Sequence, residues 1–498
     1  MTTYEHKAEM QSQQNGTAAP ESTDYADSRP VGLLPPTFDA DYVAGAVAPF
    51  LLSSSYIGET PSLPMIDLAL SKEKAVPIQL WGLLYDGWGP NPEHEGVSVF
   101  MRGYENRGPN NERKKIYVSA VTPDLIATRY RGKLTSFFEK LFLDANARKP
   151  LMHTYFDNYY DLYWNLHVGV TGDAIPPDVR AFSAAFNAVL GFWYPTTDIV
   201  HQNYMRARET RHALKDWLDT RVQVIIDGDV PNADRTFVYY WLKNGGMGEN
   251  FRRKDIVFEC IHNFLAFSQW GNMVYNTAAR LEPNHGDPTA RAWFERTMSN
   301  SPDEADGAFT PLDRFVMELF RVISPNGGSL STPKRLRQML GSEYNSVLTP
   351  HLPTSTDPRH WSNPCDFDPD RYKTAPTTVD NDDTRAKEIG LARCPFPKES
   401  FAFKDGRQGQ VTNSAFGAVY AVVDETAHPL CDAAGYAPFG FGYRRCAGEY
   451  ITVEFIKEFL RAVWNGKISF VKLDLEAPEK VPVNPGTVLN DDIAFTFK

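Results

Sequence analysis

The sequence predicts a mainly α-helical protein with small β-sheets, and three observations carry that prediction. Long segments place apolar residues at helical spacing, the strand-like segments are short and scattered, and no internal repeat divides the chain. The helical segments run from Leu125 to Ala145, Pro177 to Phe192, Tyr204 to Ile226, Ile256 to Leu281, Pro311 to Ile323 and Tyr450 to Trp464. Strand-like material occurs at Val97 to Met101, Ala418 to Val423 and Ile468 to Val471. Breaks rich in glycine and proline at 85–111, 324–333 and 348–370 lack the length and low complexity of an interdomain linker. Met1 to Pro30, rich in Thr, Ser, Gln, Asp, Glu and Ala, reads as a disordered tail, which leaves one large domain over 31–498.

Bulk properties bound the function. A chain of 498 residues that is 42% apolar and 13% aromatic can bury a large core and an apolar cofactor. Its 51 basic and 62 acidic side chains give a net charge of −11 without a basic run, which argues against nucleic acid as a partner. Cys260, Cys365, Cys394, Cys431 and Cys446 are irregularly spaced with no CxxC pair, a pattern that fits a reducing compartment better than a disulfide framework. The N-terminal stretch has no apolar h-region, and the apolar run Tyr42 to Leu52 is about half of a bilayer span. A soluble, cytoplasmic protein without a transmembrane anchor is expected.

The chemistry concentrates between Pro438 and Glu449, where Phe439, Gly442, Arg444, Cys446 and Gly448 form the pattern FxxGxRxCxG. Each position suits a thiolate held against an iron porphyrin. Gly442 and Gly448 let the backbone approach sulfur and point N–H groups at it. Phe439 shields the sulfur from water, and Arg444 can meet a haem propionate with a charge-assisted bond. The apolar-striped helix that follows starts beside Cys446, where its dipole favours a thiolate. An ordinary buried cysteine after a glycine-rich turn is the alternative, and it explains fewer of the five positions.

Two upstream segments match in order. Glu318-Leu319-Phe320-Arg321 is an ExxR pair at i, i+3 on one helix, and Trp361 to Tyr372 has the pattern W..P..F.P.R with Arg371 at its end. Together with the cysteine loop these segments resemble the cytochrome P450 family. The resemblance implies the cytochrome P450 fold and haem b (iron protoporphyrin IX) with Cys446 as its axial metal ligand. It also implies a structural triad of Glu318, Arg321 and Arg371 that pins the cysteine loop. The implied activity is a monooxygenase or peroxygenase oxidation of an apolar small molecule or lipid. Electrons would come from a ferredoxin or flavodoxin-type donor, or from no partner if peroxide drives the reaction.

Departures from the family pattern are informative. The stretch between Arg371 and Cys446 is longer than the family's, which places an insertion within 373–436. Ser324 to Ser329 replaces the usual strand-and-proline run after the second motif residue, Arg321. In the distal helix, sought within Phe251 to Leu281, the family's acid-alcohol pair that delivers protons to dioxygen is missing. Two registers place either Phe267 and Ser268, or Gln269 and Trp270, at that pair. Ser268, Gln269 and Trp270 are therefore the distal catalytic candidates, with ordinary satisfied polar residues and packing as the other reading.

His262-Asn263 and the run Phe267 to Asn272 are also similar, imperfectly, to the allene oxide synthase and hydroperoxide lyase branch. That similarity implies a reductase-independent isomerase or lyase acting on a fatty-acid hydroperoxide. A non-catalytic haem binder is a third class, against which thiolate ligation argues because it suits O–O cleavage. Arg129, Arg131 and Lys133 fall where an early helix of the family contacts a propionate, although a solvated basic face accounts for them more simply.

Overall fold

The computed structural model describes residues 107–143, 149–189, 197–307, 309–323, 361–373, 400–410, 446–484 and 487–497, with short pieces at 325, 328–331, 347–350, 355–356, 420–423, 426–429 and 438–439. The expected tail, the apolar run Tyr42 to Leu52 and the strand at Val97 to Met101 lie outside the described residues.

Helices dominate. They are α1 (Arg107–Val118), α2 (Arg131–Leu143), α3 (Leu151–Val168), α4 (Pro177–Val189), α5 (Thr197–Ile226), α6 (Phe237–Lys243), α7 (Arg253–Phe267), α8 (Gln269–Leu281), α9 (Pro288–Ser299), α10 (Pro311–Val322) and α11 (Glu449–Asn465). Small antiparallel pairs accompany them: β1 (Gly328–Ser331) with β2 (Val347–Pro350), β3 (Ser400–Ala402) with β4 (Gln408–Gln410) and β5 (Tyr420–Val423) with β6 (Thr426–Pro429). After α11, β7 (Ile468–Lys472) pairs with β10 (Ile493–Phe497), and β8 (Lys480–Asn484) pairs with β9 (Thr487–Asn490). Hairpins β3–β4 and β5–β6 both fall inside 373–436. Among the described residues no helix is long and apolar enough to cross a membrane.

Two expected helices differ in detail. The segment from Leu125 begins as a short α-turn and a π-turn, Ile126–Tyr130, before α2 takes over at Arg131. The long distal segment is interrupted at Ser268. Ser268 N still donates to Phe264 O at 3.0 Å, but Gly271 N reaches only three residues back, to Ser268 O at 3.0 Å, so the turn tightens to 3₁₀ geometry.

Helix α3 has no sequence-predicted counterpart. Its sequence LMHTYFDNYYDLYWNLHV is aromatic around most of its circumference, so no single stripe announces it, and it lies deep in the core with Tyr155, Tyr159, Tyr163 and Trp164 fully buried. Helices α2, α3, α8 and α11 build the central layer through ring contacts. Phe137 meets Tyr155 at 5.6 Å, Phe138 meets Phe455 at 4.7 Å, and Trp270 stacks on Phe455 at 4.1 Å. Gly271 sits at the crossing of α8 and α3, where a Cβ would come within 3.1 Å of Met152 Cε and 3.5 Å of Tyr155.

The first turn of α3 is capped from the far end of the chain. Asp491 accepts hydrogen bonds from Met152 N at 3.0 Å and His153 N at 2.9 Å, satisfying two of the helix's orphan donors. Burial nevertheless pushes the Asp491 carboxyl up to about 6, and the Glu479 carboxylate adds to the rise, against the two N–H groups and His153. A carboxyl raised in the folded state stabilises most below its unfolded value, and the contribution is lost as pH climbs through 6. The stability gap between wild type and Asp491→Asn should therefore widen in thermal melts as pH falls from 7.5 to 5. A gap that narrows would mean that the N–H bonds outweigh burial.

Candidate active site around Cys446

Helix α10 carries the motif pair. Its start is fixed by a reciprocal box in which Thr310 Oγ1 accepts from Asp313 N at 3.0 Å and the Asp313 carboxylate accepts from Thr310 N at 3.1 Å, with Pro311 in the first turn. Further along, Glu318 and Arg321 are both 0% exposed and form a two-pronged pair, with Arg321 Nε donating to Glu318 Oε2 at 2.8 Å and Nη2 to Oε1 at 2.7 Å. Arg371 Nε donates to the same Oε1 at 3.1 Å, so the structure brings Glu318, Arg321 and Arg371 together.

The carboxylate also takes two bonds that the motif does not announce, from Asp368 N at 2.9 Å and Tyr372 Oη at 2.9 Å. The guanidinium groups use their remaining N–H bonds on carbonyls of the 355–366 stretch. Arg321 reaches Pro364 O at 2.7 Å and Asp366 O at 2.8 Å, and Arg371 reaches Ser362 O and Asp366 O at 3.0 Å. Trp361 lies under both guanidinium groups, 5.2 Å from Arg321 and 5.8 Å from Arg371. The cluster is a buried charged network with its donors and acceptors matched.

The neighbouring residue on α10 links this network to the cysteine. Phe320 meets the ring of Phe439 edge-on at 4.9 Å, and Phe439 O accepts from Cys446 N at 2.8 Å. Both phenylalanines are buried and Cys446 is half-buried. Gly448 is the N-cap of α11, so the cysteine stands at the positive end of a seventeen-residue helix. A Cβ on Gly448 would sit 3.8 Å from Cys446 Sγ, an ordinary contact, so the protein alone does not demand glycine there. Gly442 and Arg444 lie outside the described residues.

Cys446 and Ala447 line a cleft with Val118, Thr122 and Phe403. None of Cys260, Cys365 and Cys446 is in a disulfide, and Cys260 is buried on α7 with its thiol pushed up by burial and then by Glu259. Arg129, Arg131 and Lys133 do not line this cleft. Arg129 pairs with Asp234 at 3.1 Å, Arg131 Nε donates to Glu454 Oε1 at 2.6 Å, and Lys133 donates to the carbonyls of Asn165 and Arg235. Burial, and then the Arg235 charge, lower Lys133 to about 7.

The distal candidates separate. Ser268 is buried at the tightened turn, and Gln269 is half-buried. Trp270 turns onto α11, where Nε1 donates to Thr452 Oγ1 at 2.9 Å and the ring stacks on Phe455. His262 lies 3.3 Å from Glu259 and stacks on Phe258 at 5.9 Å.

The Asn263 of the His262-Asn263 pair belongs to a buried polar chain that the sequence did not reveal. Asn263, fully buried, accepts at Oδ1 from Tyr117 Oη at 2.8 Å, and its amide lies 3.0 Å from His167 Nε2. His167 Nδ1 is 2.8 Å from Tyr163 O, an acceptor, so the proton is assigned to Nδ1 and Nε2 accepts from Asn263. Burial lowers His167 to about 3, which keeps it neutral at physiological pH. Tyr117 is raised by burial, then by the nearby charges of Glu259 and Cys446. Of this chain the sequence marked Asn263 alone, as the partner of His262 in that pair.

No protein-family model matches the sequence, and comparison with curated proteins finds no match. Solved structures do match. A retinoic acid-bound cyanobacterial CYP120A1 is 14% identical over 86% of this chain and 85% of its own, with a TM-score of 0.55. The cytochrome P450 CYP102L1 is 12% identical over 85% and 87%, with a TM-score of 0.53. A zebrafish cytochrome P450 with abiraterone is 14% identical over 87% and 89%, at 0.52. Mainly helical with small antiparallel sheets, and alike to these structures over 85–87% of its length, the protein has the cytochrome P450 fold.

Proposed function

We propose that the chain is a haem-thiolate enzyme of the cytochrome P450 family acting on an apolar small molecule, with Cys446 as the axial ligand of haem b. The observation that carries this reading is the continuous link from Glu318 and Arg321 through Phe320 and Phe439 to Cys446 at the head of α11. The donor chemistry fits the cofactor: one half-buried sulfur, outside any disulfide, at a helix N-terminus that favours its anionic form. Haem held by a thiolate supplies chemistry that cleaves O–O bonds.

The chain's own residues position and shield. The Phe439 carbonyl fixes the Cys446 N–H, its ring in this reading shields the sulfur, and the dipole of α11 offsets the thiolate charge. Arg444 and Gly442 complete the loop in this reading, as a propionate partner and a close-approach glycine. On the distal side the acid-alcohol pair is missing, and Ser268 and Gln269 are the polar residues left at the two registers.

That gap supports a second reading, in which a fatty-acid hydroperoxide supplies the O–O bond and no reductase is needed. In the first reading a ferredoxin or flavodoxin-type donor, or peroxide, serves. Purified protein reduced under carbon monoxide should show the red-shifted Soret band of thiolate ligation, and Cys446→Ser should lose it. A band at the histidine position in wild type sinks the proposal. The same preparation, given a lipid hydroperoxide without reductant, separates the readings: isomerisation with unchanged oxygen count supports the second.

A further inference from the structure

Hairpin β3–β4 belongs to the long interval between Arg371 and Cys446, and the proposed function gives it no role. Phe403, at its turn side, is only 6% exposed and lines the Cys446 cleft together with Gln408 and Gly409. The ring is pressed onto the opposite strand. A Cβ at residue 409 would come within 2.2 Å of Phe403 Cζ, so this packing exists only because Gly409 has no side chain.

Directional bonds hold the hairpin in place on two sides. Arg407 Nη1 donates to Thr122 Oγ1 at 2.8 Å and Nη2 to Ser119 O at 2.8 Å, both in the turn after α1 that supplies Val118, Val121 and Thr122 to the same cleft. Asp405 accepts from Arg407 Nη2 at 2.7 Å, which fixes the guanidinium. The same carboxylate accepts from Asn244 Nδ2 at 3.0 Å, while Asp405 N donates to Asn244 Oδ1 at 3.2 Å, clasping the hairpin to the end of α6. The Arg407 guanidinium also lies 4.8 Å from the Tyr240 ring and 5.3 Å from Phe403.

We propose that hairpin β3–β4 is a built-in shield over Cys446, in which Phe403 keeps water out of the cleft beside the cysteine and Arg407 holds Phe403 in position. This rests on Cys446 being the thiolate ligand. Water admitted beside a ligating sulfur changes its hydrogen bonding and the local dielectric, so the apolar surroundings of the ligand tune how long it stays bound. Phe403 and Arg407 are positioning residues in this scheme and touch no reactant.

The test follows the ligand rather than turnover. Full-length, haem-loaded wild type, Phe403→Ala, Phe403→Leu and Arg407→Ala are reduced under carbon monoxide, and loss of the thiolate Soret band is timed. F403A and R407A should lose it about tenfold faster than wild type, the size typical of removing support from around a metal ligand, with F403L close to wild type because it keeps the apolar bulk. Equal rates in all four overturn the shield. If F403A does not retain haem on purification, Arg407→Ala carries the comparison, and a rate no faster than wild type overturns it equally. A wild-type protein without the thiolate band overturns ligation itself, an outcome distinct from a stable band that the variants leave untouched.

Discussion

Glu318→Ala is expected to destabilise the protein by about 3–5 kcal/mol, the range for breaking a buried ion pair by removing one partner. Arg321 would keep its charge at 0% exposure without a counter-ion, and Arg371 Nε, Tyr372 Oη and Asp368 N would each lose an acceptor. Urea unfolding measures the change directly. Glu318→Gln keeps the volume but removes the charge, so it should fall between the two. Because Phe320 shares the helix and props Phe439, the variant should also release the proposed haem more readily than wild type. An unfolding midpoint equal to wild type for E318A would show that the cluster is not a unit.

Trp270→Ala is expected to cost about 3–5 kcal/mol, as large aromatic deletions in a core do. The ring is 2% exposed, stacks on Phe455 at 4.1 Å and meets Phe267 at 4.4 Å. Trp270→Phe preserves most of the stacking and removes the bond to Thr452, for about 1 kcal/mol. The pair of variants distinguishes packing from chemistry. If packing is the role of Trp270, W270F keeps nearly full turnover along with most of the stability. A loss of turnover in W270F at unchanged stability would place the indole N–H in the reaction instead.

Much of the fold was legible in the sequence, and the parts that were not share a physical cause. α10 and α11 show one apolar stripe each, so periodicity locates them within a residue or two. α3 defeats the same test because its aromatic residues surround it, and α9 was passed over although Asp287-Pro288 is a start signal whose carboxylate accepts from Thr289 N and Ala290 N. At the site, the ExxR spacing told which residues pair on one turn, but not that Tyr372 and Asp368 N complete the carboxylate's shell. The Tyr117, Asn263 and His167 chain was invisible because its members meet only when α1, α3 and α7 pack together. The role of hairpin β3–β4 was likewise hidden, since an insertion announces extra length and not where that length docks.

The bond from Trp270 to Thr452 and the stack of Trp270 on Phe455 fasten α8 to α11. Thr452 stands one turn into the helix that begins beside Cys446, its N–H bonded to Gly448 O at 3.0 Å. A displacement of α8 would therefore be passed to the helix that begins beside Cys446.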